Sequence, residues 1–177
     1  ETVRPANDGR PDAPITFAAE AGVCISGADP VGGWRPHHGR VSVARVGWDL
    51  GANTQVFVNQ RMVNEARWPN DTDGDPFTPD AAPIEAAGED FLRCGLLRGL
   101  PADAFEGAVL WVMSGDRWSS WTTTVTSLAP QEGQLGFAPS PSPWIRTYMA
   151  AKPGGSFVVV GGRQMPDAPN EWRFDAP

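Results

Sequence analysis

Residues 55–70 read QVFVNQRMVNEARWPN and carry the pattern of a β-hairpin. Side chains alternate in character on both sides of Asn59-Gln60, which places a tight turn there. Arg61, Glu65 and Arg67 share one parity of the second strand, so their charged side chains lie on one face of it. A hairpin packed entirely into a core would not need these charges. We therefore predict that this strand binds, or fastens to, something outside its own sheet.

The composition indicates a turn-rich β protein. Gly 20 and Pro 18 make up about a fifth of the 177 residues, well above ordinary usage. Such a content argues against long helices and favours short strands joined by many turns. With 41% hydrophobic residues and eight Trp, the chain can bury a sizeable core, which excludes a disordered chain.

The remaining strand signals are short, and no amphipathic helix is predicted. Residues 41–46 alternate strictly and predict a half-buried strand. Residues 110–115 (LWVMSG) and 156–162 (SFVVVGG) predict central strands covered on both faces, and residues 121–129 (WTTTVTSLA) predict an alternating strand. Residues 138–144 (APSPSPW) predict a loop or an extended edge. This pattern predicts an all-β fold, a sandwich of two antiparallel sheets.

Charge and hydropathy exclude two classes of partner. The net charge of −7, from 14 basic and 21 acidic residues, repels phosphate backbones and argues against nucleic acid. No apolar run approaches the roughly 20 residues that a membrane span needs, so no membrane partner is predicted. The acidic charge, the single Lys152 and the Pro/Gly-rich turns predict a secreted, bacterial-type extracellular protein.

The two cysteines, Cys24 and Cys94, match no redox or zinc spacing. They are compatible with one disulfide that closes a long loop or with two small buried thiols. The sequence leaves both alternatives open.

Four stretches carry a resemblance to a known group. They are PITFAAEAGVCISGADPVGGW (14–34), VFVNQRMVNEARWPN (56–70), GAVLWVMSGDRWSSWTTTVTS (107–127) and PDAPNEWRFD (166–175). In this order they resemble the N-terminal part of secreted right-handed parallel β-helix proteins, in which a β-sandwich interrupts an early coil. The group includes glycoside hydrolases such as parallel β-helix β-xylosidases. Its members usually have glycine where this chain has Asn170, and a glycine-containing turn in place of Asn59-Gln60.

The resemblance implies an all-β fold: an antiparallel β-sandwich inserted in, and flanked by, a fragment of a right-handed parallel β-helix. Residues 1–28 would be a β-helix coil fragment, 29–161 the sandwich and 162–177 the segment that returns to the β-helix. A single coil cannot bury its own apolar face and needs stacked neighbours. The remaining coils are therefore expected in the same precursor or in a partner chain.

The charged hairpin has two interpretations. As a catalytic acid, Glu65 would need a second carboxylate about 5–10 Å away, and Asp49 and Glu171 are the candidates. In the resembling enzymes the catalytic carboxylates look to lie on later coils, so we predict no catalytic residue here. We predict instead that Glu65, Arg67 and Trp172 anchor the sandwich to the β-helix, and that this chain alone is not an active enzyme.

Aromatic residues are the candidates for carbohydrate binding, because the apolar C–H faces of sugar rings stack on indoles. Trp34 and Trp144 lie beside Pro and Gly in predicted loops and are predicted to be exposed platforms. Trp68 is assigned both to carbohydrate binding and to the junction with the β-helix. His37 and His38 lie in a loop that could overhang a cleft and bond sugar hydroxyls, with their rings pointing apart. Core or interface packing is the alternative for every Trp.

Strand parity makes further predictions about the tryptophans. Trp111 lies in the middle of a predicted central strand and is expected in the core. Trp118 and Trp121 are three residues apart, so they should point to opposite faces, with at most one exposed.

The stretch DTDGDPFTPD offers the candidate metal site. Asp71, Asp73 and Asp75 resemble the start of a Ca²⁺ loop, but an EF-hand would need Gly where Pro76 stands and Glu where Ala82 stands. A looser Ca²⁺ site is one hypothesis, and a solvated Asp-rich turn is the other. No other cofactor is predicted.

Three functions are consistent with these features. The first is an accessory β-sandwich segment of a secreted carbohydrate-active β-helix protein, helping to form a cleft for an oligo- or polysaccharide. The parent protein would then be a glycoside hydrolase or another polysaccharide-acting enzyme. The alternatives are an independent carbohydrate-binding module and a purely structural or protein-interaction domain.

Overall fold

The computed structural model describes residues 4–6, 8–23, 26–48, 51, 54–75, 80–115, 118–162 and 165–175. These residues form short strands and one short helix, which confirms the predicted all-β class. The strands are β1 (Arg35–Pro36), β2 (Ser42–Val43), β3 (Val56–Val58), β4 (Arg61–Glu65), β5 (Arg67–Trp68), β6 (Ala82–Pro83), β7 (Ala86–Ala87), β8 (Phe91–Arg93), β9 (Val109–Met113), β10 (Ser120–Ala129), β11 (Gln134–Phe137), β12 (Ser156–Val160) and β13 (Glu171–Trp172). The helix is α1 (Pro143–Tyr148), and 3₁₀ turns lie at Gly95–Leu97 and Pro130–Glu132.

Eight strands form one antiparallel sheet in the order β5-β12-β9-β10-β11-β8-β7, with β6 beside β5 on the edge of β12. Strand β10 joins its two halves. Residues 120–124 pair with β9, and residues 125–129 pair with β11, with a β-bulge between Val125 and Ser127. Because a bulge bends a strand and increases its twist, β10 can belong to both halves of the sheet.

One face of this sheet carries the core. Alternation along each strand sends one set of apolar side chains into a single cluster: Leu92 of β8, Leu110 and Val112 of β9, Trp121 and Val125 of β10, Leu135 and Phe137 of β11, and Phe157 and Val159 of β12. Each fully buried Leu, Val or Phe contributes about 1.5–3 kcal/mol relative to an exposed one. The cluster is therefore what holds the eight strands together.

The two strands predicted to be covered on both faces behave differently. Strand β12 is covered on both, because Val158 is also buried, at 1% exposure. Strand β9 is not, since Val109 and Trp111 on its outer face are 43% and 37% exposed. The predictions of a fully covered β9 and of Trp111 in the core are therefore wrong. Of the described residues of β9, Leu110 and Val112 on its inner face are the ones that belong to the core cluster.

The hairpin of β3 and β4 forms as predicted, but its second strand ends at Glu65. The prediction that Arg67 lies on the same face of this strand as Arg61 and Glu65 is wrong, because Arg67 belongs to β5 of the eight-stranded sheet. Asn59 and Gln60 both have positive φ, 50° and 66°, as a type I′ turn requires. The two strands belong to a second sheet of order β13-β4-β3, in which β13 runs parallel to β4. Ala66 separates β4 from β5, so the chain leaves the three-stranded sheet there and enters the eight-stranded one.

The N-terminal part of the chain is sparsely structured. Within the described ranges up to residue 48, β1 pairs with β2, and Arg10 forms an isolated bridge with Ala13. The predicted strand at 41–46 is reduced to Ser42–Val43. The segment boundaries 1–28, 29–161 and 162–177 remain predictions.

Helix α1 was not predicted from the sequence. Ser142 caps α1 by accepting a hydrogen bond from the Ile145 N–H at 3.5 Å, and Pro143 occupies the first turn, where a missing N–H costs nothing. The predicted loop or edge over 138–144 is therefore wrong at its C-terminal end. A six-residue helix is too short to show a 3.6-residue period.

Of the two cysteines, only Cys94 lies among the described residues. Cys94 is buried with a free thiol, and burial raises its pKa, while Cys24 lies outside the described residues. Across the described ranges, no helix combines the length and the apolar character needed to cross a bilayer.

Candidate functional site

Three exposed aromatic rings in mutual contact form what we call the aromatic surface. Trp118, Trp144 and Tyr148 are 64%, 51% and 62% exposed. The ring centroids of Trp118 and Trp144 are 6.1 Å apart in an edge-to-face arrangement, and those of Trp144 and Tyr148 are 5.9 Å apart. Such geometry stabilises aromatic pairs beyond their buried area. The three rings therefore make one contiguous platform.

Helix α1 positions two of these rings. Trp144 and Tyr148 are four residues apart and so lie on one side of the helix. Ile145 packs against the core, and the carbonyl of Met149, just after the helix, accepts a buried hydrogen bond of 2.7 Å from the Trp121 indole N–H. Arg146 donates to the carbonyl of Ser140 at 2.5 Å. These contacts fix the helix with its aromatic side outward.

The aromatic surface was only partly predictable. Trp144 is exposed as expected, although it lies on α1 rather than in a loop. Trp118 is exposed and Trp121 is 9% exposed, which confirms that at most one of the pair faces solvent. Tyr148 was missed, because its spacing from Trp144 is informative only once a helix is known to be there.

The second group of predicted sugar-binding residues lies on the β1–β2 hairpin. Trp34 is 57% exposed, and its indole N–H donates to the carbonyl of Val31 at 2.8 Å. His37 and His38 are exposed, and their ring centroids are 5.0 Å apart. The expectation that these rings point apart is wrong, because the turn between the two strands is not extended. Their role in binding a sugar stays a prediction.

Trp68 packs as part of the core. Its ring centroid lies 5.5 Å from that of Phe105 and 5.8 Å from that of Phe157, and it is half-buried. These contacts give Trp68 a structural role in the eight-stranded sheet. Its predicted roles in sugar binding and at a junction with a β-helix stay predictions.

Arg67 organises the loop that follows β5. The side chain is buried, with Nε donating to the carbonyl of Pro69 and Nη2 to the carbonyl of Asp80, both at 3.0 Å. A planar guanidinium can bond two carbonyls at once, which an ammonium on a flexible stem cannot do as well. Hydrogen bonds from the Thr72 hydroxyl and N–H, together with the Arg67 charge, hold the pKa of Asp80 below its ordinary value.

Trp172 and Glu171 attach the C-terminal segment to the hairpin. In the parallel register, Glu171 lies opposite Asn64 and Trp172 opposite Glu65. The Trp172 indole N–H donates to the carbonyl of Val63 at 3.2 Å. The three predicted anchoring residues, Glu65, Arg67 and Trp172, lie on paired or adjoining strands. Their role in anchoring a sandwich to a β-helix stays a prediction.

The carboxyl groups of Glu65 and of its predicted partner Glu171 both have raised pKa values. Burial raises the pKa of Glu65, and burial also raises that of Glu171 against the opposing hydrogen bonds from the N–H groups of Ala168, Arg67 and Asp167. Glu171 is thus occupied in holding a turn. Asp49, the other candidate partner of Glu65, lies outside the described residues. The prediction that this chain carries no catalytic residue stays a prediction.

The Asp-rich loop is internally bonded. Asp71 accepts hydrogen bonds from Asn64 Nδ2 at 2.7 Å and from the Gly74 N–H at 2.8 Å, and Asp73 accepts one from the Asp75 N–H at 2.8 Å. Despite an opposing effect of desolvation, these bonds to Asp71 lower its pKa. In the part of the chain that is described, no three His, Cys, Asp or Glu side chains are placed to hold a metal ion. Calcium binding stays a prediction.

Two concavities lie beside these elements. One, of about 270 Å³, lies between α1 and the sheet and is lined by Trp121, Phe137, Ile145, Arg146 and Glu89 among others. The other, of about 410 Å³, lies between the β3–β4 turn, the Asp-rich loop and residues 168–171. The second is the more polar, and its lining residues come from segments far apart in sequence.

Comparison with known proteins places the fold. A solved structure described as a glycoside hydrolase is similar to this chain, with a TM-score of 0.53 and 18% sequence identity. The similarity covers 82% of this chain and 26% of that one, so this chain spans about a quarter of its length. No family model and no curated protein matches the sequence. At this identity the likeness is one of fold: an all-β chain resembling part of a glycoside hydrolase structure.

Proposed function

We propose that this chain is an accessory β-sandwich segment of a secreted, carbohydrate-active parallel β-helix protein and helps to form a glycan-binding cleft. The observation that carries the proposal is the aromatic surface of Trp118, Trp144 and Tyr148. The similarity in fold to part of a glycoside hydrolase structure supports it.

Exposure of three large aromatic rings to water is unfavourable. Contiguous exposed apolar surface on a soluble protein marks an interaction site. Three aromatic rings in contact offer flat faces on which the C–H faces of sugars stack, and the Trp N–H and Tyr O–H at their edges can bond hydroxyls. An oligosaccharide presents both kinds of group along its length, so it matches this surface.

The parallel pairing of β13 with β4 supports the β-helix part of the proposal. The strands of the eight-stranded sheet pair antiparallel, whereas Glu171 and Trp172 run parallel to Asn64 and Glu65. Stacked coils of a parallel β-helix pair their strands in this same sense. A parent protein with further coils is thus the proposed setting, with secretion and the hydrolase activity of that parent as part of the proposal.

Titration with xylo-, arabino- and galacto-oligosaccharides, followed by Trp fluorescence, tests the proposal. We expect at least one series to change the emission, and Trp144→Ala to weaken that binding about tenfold or more, a loss of about 1.4 kcal/mol, because it removes the ring at the centre of the stacking surface. Phe17→Ala removes a ring that is 61% exposed outside both candidate surfaces and should leave binding unchanged. Trp34→Ala tests whether the β1–β2 hairpin also contributes.

The competing functions predict different results. An independent carbohydrate-binding module would bind with full affinity without any β-helix partner. A structural or protein-interaction domain would show no change in emission with any oligosaccharide, and Trp144→Ala would alter stability alone. That last result would exclude the proposed glycan-binding function.

A further inference from the structure

The second concavity combines polar groups from three segments of the chain, and we call it the hairpin pocket. Its volume is about 410 Å³, within the range of small-molecule sites. The polar side chains that line it are those of Asn59, Arg61, Asn64, Asp71, Asn170 and Glu171. It lies on the β3–β4 hairpin, whereas the aromatic surface lies on α1 and at the start of β10.

Two of its residues occupy backbone conformations that disfavour side chains. Asn59 has φ 50° and Asn170 has φ 66°, in the left-handed region. Glycine adopts this region without strain, while an asparagine there is tolerated at some cost in free energy. At Asn59 this conformation is the one that the type I′ turn between β3 and β4 requires. Here both positions carry an amide group to the edge of one pocket.

The polar lining divides into a fixed frame and unbonded groups. Asn64 donates to Asp71 at 2.7 Å, and Glu171 accepts from the Ala168 N–H at 3.0 Å, so these groups hold the walls in place. The side chains of Asn59, Arg61 and Asn170 make no hydrogen bond or ion pair within the described part of the chain. The pocket therefore has preorganised walls and three exposed side chains whose polar groups are free to bind a ligand in place of water.

The chemistry of the lining selects the class of ligand. Amides both donate and accept, carboxylates accept and a guanidinium donates, and this mixture complements hydroxyl groups, which do both. Two carboxylates beside a single guanidinium disfavour a phosphate or another anion. Val58 and Met62, 51% and 42% exposed, line the same pocket and offer apolar contact to C–H groups. We propose that the hairpin pocket binds a neutral polyhydroxylated ligand, a single sugar residue, at a site separate from the aromatic surface.

Glycine substitutions in the left-handed positions test the proposal with a matched control. Asn59→Gly and Asn170→Gly remove an amide from the pocket and relieve the backbone, so the thermal midpoint should be unchanged or higher. Gln60→Gly relieves the same turn, at φ 66°, but Gln60 does not line the pocket. The probes are D-xylose, L-arabinose and D-galactose, and the readouts are backbone amide NMR shifts and calorimetry.

We expect one of these sugars to shift the amides of residues 59, 64 and 170. Asn59→Gly and Asn170→Gly should weaken this binding about tenfold, and Gln60→Gly should not weaken it. No shift at these amides with any of the three sugars would overturn the proposal, and so would equal weakening by Gln60→Gly. The proposal adds to the proposed function but does not depend on it: Trp144→Ala should leave these shifts intact even if no oligosaccharide binds the aromatic surface.

Discussion

The indole N–H of Trp172 donates a hydrogen bond of 3.2 Å to the carbonyl oxygen of Val63, across a sequence separation of 109 residues. Together with the bond of 2.7 Å from the Ala66 N–H to the Trp172 carbonyl, it fastens β13 to β4. The C-terminal segment is thereby held to the backbone of the β3–β4 hairpin and of the residue that follows it. Two of the three predicted anchoring residues, Glu65 and Trp172, are register partners in this contact.

Trp172→Phe should lower the free energy of unfolding by about 1–2 kcal/mol, because it removes the donor and leaves the apolar contact largely in place. Urea denaturation measures the change. Trp34→Phe is the matched control, since it also removes an indole bond, of 2.8 Å to Val31, but at an exposed site where water can replace it. Equal losses in the two variants would contradict the role given to Trp172.

Arg67→Lys should lower the free energy of unfolding by about 1–3 kcal/mol. One ammonium cannot keep the bonds to both the Pro69 and Asp80 carbonyls in a buried site. The control is Arg93→Lys, where the guanidinium is exposed and bonds Gln134 and Glu132. That change should cost less than about 1 kcal/mol. Denaturation of both variants at one pH decides between a buried organising role and an ordinary surface charge for Arg67.

The tryptophan pair on either side of the start of β10 gives a third prediction. Trp121→Phe removes a buried hydrogen bond of 2.7 Å to Met149 and should destabilise the fold by about 1–3 kcal/mol. Trp118→Phe changes an exposed ring and should stay within about 0.5 kcal/mol. Calorimetry on the two variants makes the comparison, and a larger cost at residue 118 would show that the two environments have been misassigned.

Gly155 is predicted to tolerate no side chain. A Cβ at this position would lie 2.7 Å from the Met113 carbonyl oxygen and 3.1 Å from the Gly115 nitrogen, and backbone atoms cannot yield easily. Gly155→Ala should therefore cost about 1–3 kcal/mol. At Gly32 nothing lies within 4 Å of such a Cβ and φ is not positive, so Gly32→Ala should be neutral or stabilise by up to about 1 kcal/mol. Chemical denaturation of both variants tests the contrast.

Stability should depend on pH through Glu65. Because burial raises the pKa of this carboxyl above 4.5, the folded state holds its proton more tightly than the unfolded state does. Its contribution to stability is fully present below pH 4.5 and is lost as pH rises through the folded pKa. Glu65→Gln, which stays neutral, should therefore gain stability relative to the parent protein between pH 4 and pH 7.

Asp71 supplies the opposite case for the same measurement. The bonds from Gly74 and Asn64 lower the pKa of Asp71. Its contribution to stability is therefore present above pH 3.8 and is lost as pH falls through the folded-state pKa. Asp71→Asn should lose stability relative to the parent protein at neutral pH and approach it in acid. Denaturation midpoints between pH 2.5 and pH 8 test both variants, and parallel curves would contradict both assignments.

Local sequence pattern was enough to predict the elements in which apolar and polar residues alternate strongly or which are apolar throughout. The β3–β4 hairpin, the all-β class and the doubly covered β12 follow from period-two alternation, turn chemistry and a run of β-branched residues, because all these signals act over a few positions. The expectation that at most one of Trp118 and Trp121 is exposed is also confirmed, although Trp118 lies just before β10 and strand parity does not apply to it.

What lies beyond local pattern was decided by contacts distant in sequence. Whether Trp111 is covered depends on what packs on the outer face of β9, and α1 depends on a cap and on contacts to Trp121 rather than on a long apolar period. The aromatic surface and the hairpin pocket also bring together side chains from separate segments. The sequence by itself determined the β3–β4 turn and the strands with the strongest pattern, since backbone and side-chain preferences are local. Only the tertiary structure decided which faces are buried and which residues meet, because burial is a property of the neighbours that folding brings into contact.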